Sequence, residues 1–307
     1  MRHRIHLPPA LGTRFAVRDA AATGIRRGRS DAADLDRPFH GVRATRAPTT
    51  FRDLVACYVP RLKPQQRIGG VSAVRLWGLP HPVPWTMDEP LEIVVPHHLT
   101  PPKTARVRGR RLAGDRASTW DVGGAPVVDP IAALFTSAAT LTVEHAVILI
   151  EAMITGAPNY PGLIPGRPRV TRTEIEQRLA AWRRFPGCGI VRAALCSVRE
   201  GTESPKETET RLMIVRAGLP EPVVQYEVRE GGILLARVDL AYPEWKIAIE
   251  YEGDGHRTDK RQWRIDIRRQ RELEDRGWTV IRLTELDLRD SGAIIARIRR
   301  AVAIAAR

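Results

Sequence analysis

Three acidic residues in the last third of the chain have a spacing that could bring their carboxylates together. Asp239 lies in one apolar segment of alternating polarity, and Glu250 and Glu252 lie in the next. If the turn between the two strands consists of Glu244 and Trp245, antiparallel pairing places Asp239 opposite Glu250, with Cβ atoms about 5 Å apart. Alternation along the second strand puts Glu252 on the same face, so we expect the three carboxylates to converge.

Carboxylates that converge in this way are typical of a divalent-metal site. Like charges that face each other across a sheet are destabilising, and a bound cation removes the repulsion. Ligands that are all oxygen favour Mg²⁺ or Mn²⁺ over zinc, and such an ion positions water for phosphodiester hydrolysis. The alternative is a solvated sheet face, which the apolar neighbours Val238 and Ile249 disfavour. A turn longer or shorter by one residue would change the register but not the shared face of Glu250 and Glu252.

Further candidates surround these strands. His256 follows Gly-Asp-Gly directly before a predicted helix, where it could act as a general base or orient the scissile phosphate. A lone histidine at such a position is also commonly a capping or surface residue. Asp266 and Arg269 stand three residues apart on that helix, a spacing that predicts an ion pair and a supporting role. Glu207 and Glu209 lie in the first turn of an earlier helix, where the helix dipole alone favours acids, so membership of the site stays open for both.

The segment that holds these residues has a regular order of elements. Apolar periodicity, a glycine after each of the first two helices and a proline-containing turn predict the order αβββαβα. Helices packed on a mixed sheet follow from this alternation. The predicted elements are helix 207–217, strands 223–228, 234–241 and 246–252, helix 258–276, strand 279–283 and a final helix after Ser291.

The front of the chain predicts an α+β region without a catalytic cluster. Residues 1–48 are basic and contain two short helical patterns, 15–24 and 30–35, the second with Ser30 as its cap, before a short strand at Gly41-Val-Arg. This order fits a small winged helix that binds DNA, or a basic capping segment. The remaining elements are helix 71–77, strand 91–95, and helices 130–138, 143–154 and 171–185. The predicted domains are therefore 1–48, an α+β region at 49–168, a helical connector at 169–203, and 204–307.

Composition restricts the class of protein and its partners. The chain has 307 residues, of which 43% are hydrophobic and 27% charged, as expected for more than one folded domain. A formal net charge of +14 favours nucleic acid as the partner over a membrane surface. The three cysteines form no CxxC pair, which argues against structural zinc and disulfides. With no secretion signal or apolar span in the sequence, we expect a cytoplasmic protein.

Six short motifs of the last segment, taken together, resemble a known domain. They occur in order over about 85 residues. They are similar to the domain of unknown function 559, which is grouped with very-short-patch-repair endonucleases in the PD-(D/E)xK nuclease superfamily. The resemblance implies a restriction-endonuclease-like mixed sheet flanked by helices, and metal-dependent hydrolysis of DNA. The motifs are Ser204-Pro-Lys-Glu-Thr, Ala217-Gly-Leu-Pro, Arg237-Val-Asp-Leu-Ala-Tyr-Pro, Ile249-Glu-Tyr-Glu-Gly-Asp-Gly-His, Asp266-x-x-Arg269 and Gly277-Trp-Thr-Val-Ile-Arg.

The resemblance also implies roles for individual residues. Asp239 and Glu250 match the two metal-site acids, Glu207 matches the acid of the first core helix, and His256 matches the histidine after the acidic strand motif. Glu252 stands where this family usually has aspartate and the wider superfamily has lysine. Activation of the attacking water would then depend on His256 or on solvent.

Two further departures and a second resemblance bear on function. Val238 replaces the proline of the superfamily name, and the chain lacks the cysteines for the structural zinc of very-short-patch-repair enzymes, so T·G mismatch specificity is not implied. The front half is loosely similar to abortive-infection antitoxin-like proteins that begin with a winged helix, through Ala73-Val-Arg-Leu-Trp-Gly-Leu-Pro and two shorter strings. We therefore predict a Mg²⁺- or Mn²⁺-dependent DNA endonuclease in repair or phage defence. The alternative is a non-catalytic DNA-binding regulator or antitoxin-like protein with a degenerate nuclease fold, whose protein partner, a toxin or a second copy, the sequence does not identify.

Overall fold

The computed structural model describes residues 6–253 and 260–307, with the side chains of 260–264 and 266 outside the description. The protein is of the mixed α/β class, as predicted. It divides into two compact units, 1–141 with 163–191, and 142–162 with 192–307. The second unit thus combines the predicted C-terminal segment with a helix that the sequence analysis assigned to the preceding region.

The N-terminal part of the first unit is a small α/β element. The predicted strand at Gly41-Val-Arg is present, and it pairs antiparallel with an earlier strand over Arg14–Ala16. That earlier strand takes up the beginning of the predicted helix 15–24, so the helix starts at Val17. Ser30 ends a helical turn rather than capping a helix, because the turn begins at Arg27. The elements are β1 (Arg14–Ala16), α1 (Val17–Ala22), α2 (Arg27–Ser30) and β2 (Val42–Ala44).

The next part of the first unit, up to residue 141, consists of a six-stranded mixed sheet and three α-helices. The strand order of the sheet is β5-β6-β4-β3-β8-β7, with parallel pairing of β3 with β8 and of β4 with β6. The predicted helix before Gly78 and the strand at 91–95 are both present. The elements are α3 (Phe51–Tyr58), β3 (Arg67–Ile68), α4 (Gly70–Leu76), β4 (Leu91–Val95), β5 (Lys103–Thr104), β6 (Val107–Arg111), β7 (Thr119–Val122), β8 (Ala125–Val128) and α5 (Pro130–Ser137).

Three helices follow this sheet in the sequence and precede the C-terminal segment. The helix predicted at 143–154 has those bounds in the structure, with Thr142 as its cap. A capping box formed by Thr171 and Glu174 starts the next helix. The third helix was not predicted individually within the connector. The three are α6 (Val143–Ile154), α7 (Arg172–Trp182) and α8 (Cys188–Ser197).

The C-terminal segment has the predicted αβββαβ order, followed by one unpredicted short helix and then the predicted last helix. In its four-stranded sheet, of order β12-β11-β10-β9, β12 pairs parallel with β11, and β10 pairs antiparallel with both β11 and β9. The sheet is therefore mixed. Its elements are α9 (Pro205–Arg216), β9 (Val223–Glu230), β10 (Ile233–Tyr242), β11 (Ile247–Tyr251), α10 (Lys260–Glu274), β12 (Thr279–Leu283), α11 (Glu285–Arg289) and α12 (Gly292–Ala305).

Both faces of this sheet are covered. On one face, Ile249 of β11 packs in a core with Ile214 of α9 and Ile295 of α12. On the other face, Ala248 packs with Leu273 of α10. Burying apolar area on both sides stabilises β11 as a central strand, so the acidic residues at its end stand on a rigid support.

The turn between β10 and β11 differs from the predicted two-residue turn. A 3₁₀ turn over Pro243–Trp245 is followed by Lys246 in the left-handed conformation, with a φ of 48°. The turn therefore has four residues, and β11 begins at Ile247. Tyr242 nevertheless pairs with Ile247, which is the predicted register, because the change shortens both strands equally.

Candidate functional site

Asp239 lies where strands β10 and β11 separate. Regular pairing between them ends at Leu240 and Ile249, one position before Asp239 would face Glu250. Beyond that point, Oδ2 of Asp239 accepts a hydrogen bond of 2.9 Å from the backbone N–H of Tyr251. The N–H of Tyr251 would bond to a carbonyl of the neighbouring strand if regular pairing continued, and here it bonds to the Asp239 carboxylate instead. This bond holds the carboxylate beside the end of β11.

A backbone irregularity on the other neighbouring strand accompanies this break. Gln225 lies between the β9 residues that pair with Val238 and Leu240, and its φ is 48°, in the left-handed region. Val238 packs on the α10 side of the sheet, whereas Leu240 packs on the α9 and α12 side. Strict alternation would put both on one side, so the strand changes face at Asp239.

Glu207 of α9 approaches Asp239 from the helix. Ser204 caps α9 and places Glu207 in its first turn. The Glu207 side chain is buried, and its Oε2 accepts hydrogen bonds from the backbone N–H of Glu203 (2.9 Å) and from the side-chain amide of Gln225 (2.8 Å). Burial raises the pKa of Glu207, while these donors oppose the rise. The irregular backbone at Gln225 thus accompanies a hydrogen bond from the Gln225 side-chain amide to the Glu207 carboxylate.

The electrostatics of Asp239 show which charges surround it. Burial, together with the negative charges of Glu207 and Glu250, raises the pKa of the Asp239 carboxyl to about 7. The N–H of Tyr251 and the guanidinium of Arg269 act in the opposite direction without offsetting the rise. Asp239, Glu207 and Glu250 therefore form a cluster in which negative charge is under-compensated by the described residues.

Glu250 and Glu252 are held by two arginines. Arg269 of α10 forms an ion pair with Oε1 of Glu250. Arg282 of β12 lies beside Glu250 in the parallel pair, with its Nε 3.7 Å from Oε2 of Glu250 and its Nη1 2.5 Å from Oε1 of Glu252. Both glutamates thus have a positively charged neighbour that the sequence analysis did not assign to them.

The predicted convergence of three acids is therefore different in detail. The charges of Glu207 and Glu250 both act on Asp239, and that of Glu207 has the larger effect. Glu252 lies beyond the end of β11 and pairs with Arg282, because the parallel strand β12 brings that guanidinium to both glutamates. The described side chains include no group of three acids close enough to hold one ion, and the predicted metal-binding role of Glu252 stays a prediction.

The structure also separates the other predicted candidates. Of the two acids near the start of α9, Glu207 is the one whose charge acts on Asp239, whereas Glu209 pairs with Lys206, at 2.7 Å. His256 lies outside the described residues, as does the side chain of Asp266, so their predicted roles stay predictions. Arg269 has a supporting position, although its described partners are Glu250 and the backbone carbonyl of Arg237.

The acids around Asp239 offer only oxygen donors, the type of ligand that Mg²⁺ and Mn²⁺ prefer. Within 6–253 and the described side chains of 260–307, no three His, Cys, Asp or Glu side chains are grouped closely enough to enclose a metal. Magnesium, however, is commonly held by one or two carboxylates together with water and substrate phosphate oxygens. Asp239 and Glu250 are carboxylates of the kind that this mode uses, and Oε1 of Glu250 is bonded to Arg269 in the structure.

A buried ion-pair network fixes the helix that carries Glu207. Glu151 of α6 is fully buried and forms an ion pair with Arg211 of α9, while the hydroxyl of Thr208 donates to its other oxygen at 2.6 Å. Arg211 also contacts Glu221 at 2.5 Å. Burial raises the pKa of Glu151, and the charge of Arg211 opposes the rise. The network holds α9 in position one turn after Glu207.

Sequence reasoning missed Gln225 and Arg282. The role of Gln225 depends on a positive φ and on a helix that lies 18 residues away along the chain, which strand periodicity does not reveal. Arg282 did carry a signal, because it closes one of the motifs quoted above. Its contact with Glu250 follows from the parallel pairing of β11 and β12, which the sequence does not specify.

Comparison with known proteins leaves the family open. No family model matches the chain. Two uncharacterised Mycobacterium tuberculosis proteins, MT2308 from strain CDC 1551 and Rv2248 from strain H37Rv, are each 34% identical to it over 133 residues. That match covers 43% of this chain, and the chain spans 49% of the length of each relative. A crystal structure of the M. tuberculosis protein RV2827C aligns with 74% of this chain and 90% of its own, at 12% identity and a TM-score of 0.38.

Among helices in the part of the chain that the structure describes, none combines the length and apolar character needed to cross a bilayer.

Proposed function

We propose that the C-terminal segment, 204–307, is a restriction-endonuclease-like domain that hydrolyses DNA with Mg²⁺ or Mn²⁺. The observation that carries the proposal is the surroundings of Asp239. A largely buried carboxyl with two acids as neighbours and a pKa of about 7 is costly to a folded protein that has no use for it. A divalent cation would remove that cost, and it supplies the chemistry of phosphodiester hydrolysis.

The fold and the charge support the same proposal. The αβββαβ order, with an acid on the first helix and an acid on each of the two central strands, agrees with the motif resemblance noted for residues 204–288. The formal charge of +14 favours a polyanionic substrate. DNA is therefore the proposed substrate, and repair or phage defence is the proposed setting.

Each residue of the site has a separate task in this proposal. Asp239 and Glu250 would hold the ion, which when bound activates water and neutralises charge on the phosphate. Glu207 stays hydrogen-bonded to Gln225 and contributes negative charge next to Asp239. Glu252 occupies the position of the superfamily lysine, and its pairing with Arg282 places a positive charge there from a different strand.

A second function is favoured by a specific observation. Two of the acids, Glu250 and Glu252, already have arginine partners, which is the arrangement of a closed, structural cluster. A DNA-binding regulator with a degenerate nuclease fold, antitoxin-like in its front half, would keep such ion pairs without cutting DNA. Its expected property is DNA binding that weakens steeply with salt, with no cleavage.

Plasmid nicking distinguishes the two functions. The purified full chain is incubated with supercoiled plasmid in Mg²⁺, in Mn²⁺ and in EDTA, beside Asp239→Asn and the control Asp275→Asn, which changes an exposed aspartate at the end of α10. The endonuclease proposal expects metal-dependent nicking by the wild type and Asp275→Asn, reduced at least a hundredfold in Asp239→Asn. Equal nicking by all three proteins would indicate a contaminant, and salt-sensitive binding without nicking would favour the regulator.

A further inference from the structure

Two arginines that neutralise the acidic cluster also have the chemistry to bind a phosphodiester. Arg269 contacts Glu250, and Arg282 lies between Glu250 and Glu252. Their side chains keep 34% and 27% of their exposed area, so both can be reached from solvent. A guanidinium presents donors in a planar fork that fits phosphate oxygens as well as carboxylates.

One hydrogen-bond donor of these arginines has no acceptor among the described residues. Nε of Arg282 is buried and has no hydrogen-bond partner among the described residues, since its nearest carboxylate oxygen, on Glu250, is 3.7 Å away. A buried donor without a partner costs free energy, which a better acceptor would recover. Arg269 is anchored by a second bond, from its Nη2 to the carbonyl of Arg237 at 2.8 Å. One guanidinium is thus fixed and the other holds a spare donor.

The same contacts oppose the binding of a cation. In the free protein Arg269 bonds to Oε1 of Glu250, one of the two oxygens that Glu250 could offer to a divalent ion. A positive charge a few ångströms from the ion also repels it. A phosphate that attracts the guanidiniums would release the carboxylate oxygens and add its own oxygens as ligands.

We propose that Arg269 and Arg282 form a phosphate clamp that exchanges partners: they neutralise Glu250 and Glu252 in the free protein, and transfer to a DNA phosphate when substrate and metal bind together. This inference rests on the proposed function. It assigns the two arginines to the substrate and makes DNA binding and metal binding mutually reinforcing, so the metal is held weakly until DNA is present.

The test relies on effects of opposite sign. Mn²⁺ binding to the DNA-free protein is measured by calorimetry for the wild type, Arg269→Gln, Arg282→Gln and Arg268→Gln. Arg268 is the matched control, because it lies next to Arg269 on α10 but pairs with Glu272 and is 84% exposed. The clamp expects Mn²⁺ to bind about tenfold more tightly to the Arg269 and Arg282 variants, since a nearby positive charge is gone, with the control unchanged.

The same variants are then tested on DNA. Binding of a fluorescently labelled duplex in EDTA should weaken several-fold in Arg269→Gln and Arg282→Gln, and single-turnover nicking in Mn²⁺ should slow at least tenfold despite the tighter metal binding. Arg269→Lys, which keeps the charge but loses the fork, should bind Mn²⁺ like the wild type and bind DNA more weakly. It provides the comparison if a glutamine variant fails to fold.

The outcomes separate the inference from the proposal beneath it. If the wild type binds Mn²⁺ and nicks DNA but the arginine variants bind Mn²⁺ no better, the arginines are structural and the clamp is overturned while the nuclease stands. If the wild type neither binds Mn²⁺ nor nicks DNA, the proposed function fails and the clamp fails with it. Tighter metal binding together with slower nicking supports both.

Discussion

Replacing Asp239 by asparagine is expected to stabilise the metal-free protein at alkaline pH. Folding raises the pKa of this carboxyl from 3.8 to about 7, so the folded chain holds the proton more tightly than the unfolded chain. The free energy of unfolding is therefore highest in acid, falls as the pH rises from about 4 to about 7, and is level above that. Asparagine is neutral at every pH, and its amide oxygen can still accept the N–H of Tyr251.

The size of the effect follows from the pKa. A tenfold change in proton affinity corresponds to about 1.4 kcal/mol, so the rise of the Asp239 pKa corresponds to roughly 4 kcal/mol of folding free energy lost above pH 7. Water that reaches the partly exposed carboxyl of Asp239 reduces this value, and we expect about 2–4 kcal/mol. Because part of the loss is already present at pH 5, the gap between variant and wild type should widen by about 1–2 kcal/mol from pH 5 to pH 8.5.

Urea unfolding in EDTA at the two pH values measures this gap. Asp275→Asn is the control, since Asp275 is an exposed residue and its replacement should give no comparable gain. A variant at Asp239 that is less stable than the wild type at pH 8.5, or a gap that does not change with pH, would refute the reasoning about the cluster.

Three other predictions concern the surroundings of the site. Mn²⁺ at a hundred times its Kd should stabilise the wild type by about 2.7 kcal/mol and so raise its melting temperature in differential scanning calorimetry. The melting temperature of Asp239→Asn should not change. An equal rise in both proteins would place the ion elsewhere. Glu151→Ala should lower the free energy of urea unfolding by about 3 kcal/mol because Arg211 loses a buried partner; a loss below about 1 kcal/mol would show that Glu221 alone satisfies it. Gln225→Ala should lower the free energy of unfolding by about 1–2 kcal/mol. Gln225→Gly should be about 1 kcal/mol more stable than Gln225→Ala, because glycine tolerates the positive φ. The reverse order of the two variants in urea unfolding would contradict the backbone conformation.

The C-terminal segment could be predicted well because its signals are local. Ser204 caps the start of α9, and Gly218 follows its end. Gly277 lies in the turn that follows α10. The limits of these helices therefore follow from capping and turn chemistry. The register of β10 with β11 was also predictable, since it depends only on the centre of the turn, and a turn of two or four residues centred on the same bond gives the same pairs.

The details of the site were less predictable because they depend on neighbours distant in sequence. Alternation places Glu252 on the same side as Glu250, but the strand ends at Tyr251, and Arg282 on a parallel strand decides which partner Glu252 takes. The dipole of α9 explained Glu207 and Glu209 equally well. Only packing against β9 and β10 shows that Glu207 is the one beside Asp239.

The most direct test of the account is the position of manganese in a crystal of the full chain soaked in Mn²⁺, located by anomalous scattering. The account predicts a peak at bonding distance, about 2.1 Å, from carboxylate oxygens of both Asp239 and Glu250. A well-diffracting soaked crystal with no peak there, and with Glu250 still paired to Arg269 while manganese occupies other acids, would contradict the claim that this cluster is a metal site.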